Sequence, residues 1–268
     1  MKKLSFLSLA FAAMLFAACG GNKNAKPAAE EEVEAKSFEQ EQIEASVKMH
    51  LDSLSASLAT LKKVPFLTDN NGTIELSKEE KQVKPEYLID PATAENAATL
   101  AEKYRMLSLL TIDKKVAALY EMPVEAYDEA TTKLMAEIND PSFKAIEDQN
   151  TVYETTEALY NAMNENGRIN YFWQMAATSL VEELYIASQN TEKFLAAFDD
   201  EAASKITFRL VLVTDAITSL VDYDEEIKPI AEAIEPLKIL NAISVEQLKA
   251  QLAEANEQIV AARKTLAE

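Results

Sequence analysis

The chain has 268 residues, of which 48% are apolar, and it carries 26 basic and 45 acidic side chains. The formal net charge of −19 at pH 7 repels nucleic acid and anionic lipid surfaces, and therefore argues against either as a direct binding partner. Length and apolar content suffice for a substantial core, as one large domain or as two packed subdomains.

Glycine is scarce, and this scarcity indicates the fold class. The chain contains four glycines; Gly20 and Gly21 lie near the start, so only Gly72 and Gly167 remain for the rest of the chain. Sheets joined by tight turns need glycine far more often, because many turn positions require a positive φ. The sequence therefore predicts an all-α fold, a multi-helix bundle of about eight helices.

Residues 1–18 have the three parts of an export signal. Lys2 and Lys3 supply a positive start, residues 4–18 form an apolar run, and small residues lead into Cys19. The run is shorter than the roughly 20 apolar residues of a spanning helix, so it is typical of a cleaved signal peptide. Cleavage before Cys19 would remove two lysines and leave a net charge of 24 − 45 = −21.

Cys19, followed by Gly20 and Gly21, resembles the lipobox of bacterial lipoproteins, with Phe16 where leucine is usual. The resemblance implies that Cys19, the only cysteine, becomes the first mature residue and carries the acyl chains (palmitate among them) that anchor the protein to a bilayer. The alternative is ordinary signal cleavage, with no role for Cys19. Because Gly20 is not the aspartate that retains lipoproteins at the inner membrane, the resemblance points to the outer membrane. In some Gram-negative anaerobes, surface-exported lipoproteins carry acidic residues immediately after the cysteine. Here the acids at Glu30 to Glu32 come later, so the resemblance favours the periplasmic face over the cell surface.

Residues 19–36 are small, polar and acidic, and we expect a lipidated, flexible tether there. A helical bundle domain is predicted for residues 37–268. It opens with an apolar stripe that begins at Ile43 and ends at Leu61, and Pro65 ends this helix. A small β-hairpin at residues 66–76, about the Asn71-Gly72 turn, remains open as an exception to the all-helical pattern.

Capping signals divide the rest of the chain into helices. Asp90 and Asp140, each followed by proline, are predicted N-caps, and Asn166-Gly167 predicts a left-handed helix end. Ser244 with Gln247 predicts a capping box for the final helix, whose apolar residues repeat as a heptad and whose Arg263 suits the negative helix end. The predicted helices are 91–121, 124–138, 141–166, 168–190, a short one that Thr191 caps and that runs to about 199, 201–222 in the centre of the bundle, and 245–266.

Motifs for metal binding or nucleophilic catalysis are not found. His50 is the only histidine, and neither a phosphate-binding glycine loop nor a zinc-binding H-E-x-x-H occurs. Acidic clusters follow Tyr127, Phe198 and Tyr223. They could supply oxygen ligands to calcium, but acids also gather where helices start. No cofactor or metal is expected.

Two apolar helices each contain an arginine and an aspartate, namely Arg105 with Asp113 and Arg209 with Asp215. Buried charges are costly unless they are paired. On one reading, these four residues pair between helices or reach the ends of the bundle. On the other, they line a polar pocket in which arginine holds an anionic ligand. They are the candidate ligand-binding residues.

The pattern as a whole loosely resembles uncharacterised all-helical envelope lipoproteins of Gram-negative anaerobes, a resemblance that is specific only at Cys19 and implies no activity. The leading hypothesis is a membrane-anchored, non-catalytic envelope lipoprotein that acts as a helical scaffold or protein-binding module. Its expected partners are the bilayer, through Cys19, and an envelope protein. The alternative is a lipoprotein that binds a small ligand or divalent cation through its core or acidic clusters, and a hydrolase that uses only carboxylates ranks third.

Overall fold

The computed structural model describes residue 45 and residues 48–53, 74–146 and 152–268. All of them belong to one compact unit that extends to Glu268. Helices and short connections account for the described residues, with no strand among them, so the predicted all-α multi-helix fold is confirmed. Of the hairpin left open at 66–76, only residues 74–76 are described, and they form no strand. The predicted signal peptide, Cys19 and the tether lie outside the described residues.

Residues 45 and 48–53 are helical. Four short 3-10 segments accompany the α-helices of the other described residues: Pro91–Asn96, Pro141–Ile146, Glu225–Ile227 and Glu235–Ile239. The α-helices there are α1 (Lys78–Gln82), α2 (Leu100–Leu119), α3 (Glu125–Ile138), α4 (Val152–Glu165), α5 (Ile169–Gln189), α6 (Thr191–Phe194), α7 (Asp200–Leu220), α8 (Lys228–Ile234), α9 (Val245–Glu254) and α10 (Asn256–Ala267).

The central helix of the bundle is α5, and not α7 as the sequence predicts. α5 packs against α2, α4, α7 and α10, and Trp173, Leu180 and Leu184 are fully buried along it. In contrast, Phe208 and Val211 on α7 are exposed. The prediction was wrong because the apolar residues of α7 are distributed around the helix, and only one side of it faces the core.

Helix boundaries follow the capping signals with two shifts. Asp90 caps the 3-10 segment that follows it, through a 2.9 Å bond from the Ala92 amide to its Oδ1. The long helix α2 begins only at Leu100, where Thr99 and Glu102 form a capping box. The short helix α6 is capped by Asn190, one residue before the predicted Thr191. Gly167 has a φ of +67°, which confirms the left-handed helix end.

The predicted final helix is two helices, because Ala255 breaks it between α9 and α10. The ψ of Ala255 is 6°, far from the helical value of about −42°. Ser244 caps α9, but Gln247 accepts its hydrogen bond from the amide of Ile243 rather than from that of Ser244. The predicted apolar stripe is nevertheless buried on both sides of the break, at Leu248, Leu252, Ala255, Ile259, Ala262 and Leu266.

Candidate functional site

A cluster of buried charges lies where α2, α5 and α10 meet. Its members are Asp113 on α2, Glu182 on α5 and Arg263 on α10, and both carboxyl groups are fully buried. Arg263 binds Glu182 through two bonds, from Nε to Oε2 at 2.6 Å and from Nη2 to Oε1 at 2.9 Å. Nη2 also lies 3.8 Å from Oδ2 of Asp113. A two-bond guanidinium–carboxylate pair fixes orientation as well as charge.

Backbone and aromatic groups surround this cluster. Asp113 Oδ2 accepts a 2.7 Å bond from the amide of Ile89, and Arg263 donates to the carbonyl of Tyr87 at 3.1 Å. The guanidinium carbon of Arg263 lies 4.1 Å from the ring centroid of Tyr185, in cation–π geometry. The cluster therefore joins three helices to the segment 87–89 that precedes them.

The surroundings shift the pKa values of the cluster. Burial, followed by the charge of Glu182, raises the pKa of Asp113 well above its usual range. Burial would lower the pKa of Arg263, but the hydrogen bonds and charge of Glu182 outweigh it, so this pKa is raised. Burial and the charge of Asp113 also raise the pKa of Tyr127 to about 12. Asp113 therefore keeps its proton to a higher pH than an exposed aspartate does, while Arg263 is held in its charged form.

Arg105, the second charged residue predicted on α2, makes different contacts. Its side chain is nearly buried; Nε donates to the carbonyl of Leu266 at 3.1 Å, and Nη1 donates to Oε1 of Gln174 at 3.0 Å. Leu266 lies in the last turn of α10, whose carbonyls have no partner within the helix. Arg105 thus fastens the end of α10 to α2 and α5.

The other two predicted residues, both on α7, lie apart from each other. Arg209 Nη1 is 2.9 Å from Oε2 of the fully buried Glu183. Asp215 is 45% exposed and lies 3.7 Å from the amine of Lys238. Of the four predicted residues, only Asp113 belongs to the buried cluster.

Sequence reasoning missed two members of the cluster. Arg263 was assigned to the negative end of the last helix, whereas its side chain turns into the bundle; the neighbouring Lys264 is 75% exposed. Glu182, which lies beside Glu183 in an apolar helix, was not among the predicted residues. The sequence feature that could have indicated Glu182 is the pair of adjacent glutamates inside an apolar helix. Adjacent helical residues point to different sides, so a buried helix with two of them requires a buried cation beside each.

A second buried polar cluster surrounds Asp140. The hydroxyl of Tyr104 donates to Asp140 Oδ2, and the Ser142 amide donates to Oδ1 at 2.8 Å. Arg168 Nε lies 3.8 Å from Oδ2, and Tyr104 stacks on Tyr171 with ring centroids 4.8 Å apart. Burial opposes ionisation, but the hydrogen bonds from Tyr104 and Ser142 outweigh it and lower the pKa of Asp140. This cluster holds the predicted Asp140 cap in its ionised form.

The acidic clusters noted in the sequence serve local structure. Asp199 caps α7, and Asp224 caps the 3-10 segment at 225–227. Asp128 forms an ion pair with Lys114. Among the described residues, no three His, Cys, Asp or Glu side chains are placed to hold one metal ion. A surface groove of about 280 Å³ lies between the 91–96 segment and α3, where Glu95 and Lys133 pair across it, and none of the four predicted residues lines it.

An exposed apolar strip runs along α7. The segment 238–245 lies antiparallel to α7: Lys238 meets Asp215, the carbonyl of Ala242 accepts from Thr207 at 3.1 Å, and the Val245 amide donates to Asp200 at 2.9 Å. Between these contacts lie four exposed apolar side chains, which form the apolar strip: Phe208 (45%), Val211 (40%), Ile239 (46%) and Ile243 (70%).

No protein-family model, curated protein sequence or solved structure matches this chain. None of the described helices combines the length and the apolar character needed to span a membrane. The class that the fold defines is an all-α multi-helix protein.

Proposed function

We propose that this protein is a lipid-anchored, non-catalytic envelope lipoprotein of the outer membrane, whose helical bundle binds a protein partner through the apolar strip. Anchoring rests on the lipobox-like Cys19, with its preceding export signal. Binding rests on one observation, the exposure of Phe208 and Val211 on α7 together with Ile239 and Ile243 on the segment that lies beside it. Isolated apolar side chains are normal on protein surfaces, whereas contiguous ones mark interaction sites.

Charge indicates the kind of partner. The segments 200–215 and 235–246, which carry the apolar strip, contain five acidic and three basic residues, and the whole chain is strongly acidic. Complementary charge speeds encounter and selects partners. The partner that fits is an envelope protein with an apolar contact surface and a basic rim.

Crosslinking in intact cells tests the binding surface. A photoreactive amino acid is placed at Phe208 or Ile243, and at Val83 or Val260 as exposed controls away from the apolar strip. We expect one protein to be captured from Phe208 and Ile243 and not from the controls. The captured protein should have a basic surface, and Lys205→Glu, which makes this surface more acidic, should strengthen its capture. Absence of any adduct, or an adduct of two copies of this chain, would overturn the proposed partner.

Anchoring needs its own experiment, because a binding module could exist without a lipid. Radiolabelled palmitate should enter the wild-type protein and not Cys19→Ser, and only the wild type should remain with membranes after a high-salt wash. Protease added to intact cells should leave the protein whole if it faces the periplasm. A variant without Cys19 that still takes up palmitate would contradict the anchor, and digestion in intact cells would place the protein on the surface.

A further inference from the structure

The buried cluster holds more acid than base. Glu182 occupies one edge of the Arg263 guanidinium, with its two oxygens 2.6 Å from Nε and 2.9 Å from Nη2. Asp113 reaches the same guanidinium only at 3.8 Å. Two fully buried carboxyl groups thus share one cation that is already engaged by one of them. If both were ionised, the cluster would bury a net negative charge, which is strongly unfavourable.

One oxygen of Asp113 also lacks a donor. Oδ2 accepts the Ile89 amide, but Oδ1 is buried and receives no hydrogen bond from any group in the described part of the chain. The Glu182 carboxyl lies within hydrogen-bonding reach of Asp113. Two carboxylates cannot donate to each other, whereas a carboxylic acid can donate to a carboxylate.

We propose that Asp113 and Glu182 hold one proton between them in the folded protein, and that this proton-binding site tightens the contact of α2, α5 and α10 as the pH falls. With the proton in place the cluster contains one carboxylic acid, one carboxylate and one guanidinium, and is neutral. The proton also gives Asp113 the hydrogen bond that its buried oxygen lacks. This site does not depend on the proposed anchor or partner.

Among the described residues, the groups that face Asp113 include no second cation that could replace the proton. Tyr127 on α3 donates its hydroxyl to the Ile89 carbonyl at 3.0 Å, and Tyr87 and Tyr185 pack edge to face beside Arg263. The charged and titratable groups around Asp113, from each element packed against it, are Glu182 and Tyr185 of α5, Arg263 of α10, Tyr127 of α3, and Tyr87 of the preceding segment.

The sign of the pH dependence follows from the cluster. The folded-state pKa of Asp113 is raised above its ordinary value, so the folded protein keeps a proton that the unfolded chain has lost. The stability that this proton provides is present below the ordinary aspartate pKa and is lost as the pH rises through the folded-state value. Carboxylates whose folded-state pKa is lowered, such as Glu80, Glu102 and Glu137, contribute the opposite slope, but at lower pH.

The test compares the full chain with Asp113→Asn in urea unfolding at a series of pH values from 5 to 8. Asparagine still accepts from Ile89 and can donate to Glu182 without a proton. We expect the wild-type unfolding midpoint to fall with rising pH across part of this range, where the folding equilibrium constant loses up to about tenfold per pH unit. The midpoint of Asp113→Asn should not show this fall. His50 is present in both proteins, so any contribution from it to the unfolding midpoint is the same in both and drops out of their difference.

Asp140→Asn is the matched control, because Asp140 is also buried but its pKa is lowered. This variant should keep the wild-type slope between pH 5 and 8. A difference in unfolding midpoint between wild type and Asp113→Asn that does not change with pH would overturn the proposal.

Carbon-13 NMR of aspartate-labelled wild type tests the site even if Asp113→Asn fails to fold. One carboxyl carbon should keep the chemical shift of a protonated carboxyl after the exposed aspartates have ionised. If no carbon does so, the site is refuted.

Discussion

Arg105, near the start of α2, donates its Nε–H to the carbonyl of Leu266, in the last turn of α10, at 3.1 Å. The two residues are 161 positions apart in the sequence. Because Leu266 is one of the helix-terminal residues whose carbonyls lack an intrahelical partner, this hydrogen bond holds the end of α10 against α2. The positive guanidinium also suits the negative end of the α10 dipole.

Replacing Arg105 with methionine should destabilise the bundle by about 1–3 kcal/mol, the usual cost of leaving a buried polar group unsatisfied. Methionine retains the apolar stem but leaves the Leu266 carbonyl and the buried Gln174 amide oxygen without their donor. The measurement is urea unfolding. Lys264→Met on the exposed face of α10 is the matched control and should change stability by less than about 0.5 kcal/mol. Equal effects of the two substitutions would show that Arg105 does not hold the helix end.

Arg209→Ala should cost about 3 kcal/mol, because it removes a cation from beside the buried carboxylate of Glu183. Adding Glu183→Gln to this variant should recover part of the loss, since a neutral amide is less costly to bury than an uncompensated charge. Unfolding curves of the two single variants and the double variant give the coupling directly. The exposed pair of Lys205 with Glu201 provides the control, and Lys205→Ala should fall within about 0.5 kcal/mol of wild type. Additive single effects would contradict the pairing.

Asp140→Asn should lower stability at neutral pH by about 1 kcal/mol and leave it nearly unchanged in acid. Asparagine can still cap the 141–146 segment, but hydrogen bonds from Tyr104 to a neutral oxygen are weaker than those to a charged one. Because the folded-state pKa of Asp140 is lowered, its contribution is present above the ordinary aspartate pKa and disappears as the pH falls through the folded-state value. Thermal unfolding at several pH values measures it. A loss that persisted undiminished in acid would mean that the charge of Asp140 does not matter.

Gly167→Ala should reduce stability by about 1 kcal/mol through backbone strain alone. The φ of Gly167 is +67°, and a Cβ added there would meet no atom within 4 Å. The penalty therefore comes from the left-handed conformation, which costs other L-residues about 1–2 kcal/mol. Gly167→Asn should cost less, because asparagine tolerates this region, as Asn139 does at φ +48°. Thermal melts compare the three proteins, and an asparagine variant weaker than the alanine variant would refute this explanation.

Local signals in the sequence predicted much of the fold. Glycine scarcity indicated helices, and Asp90, Asp140 and Ser244 cap segments where the sequence placed them. These features depend on neighbouring residues, so a single sequence carries them. The break at Ala255 and the exposure of Phe208 were missed, because each depends on which other elements pack against the helix.

The sequence by itself determined the helical class, the positions of the caps and the left-handed turn at Gly167, since each follows from the conformational preferences of a few adjacent residues. Only the tertiary structure decided which charges meet. Arg105 and Asp113 lie on one helix, yet one binds the carbonyl of Leu266 and the other shares a buried cluster with Glu182 and Arg263. Partners so far apart along the chain come together only when the helices pack. The low dielectric of the core then strengthens the interaction within each pair and makes an unpaired buried charge costly.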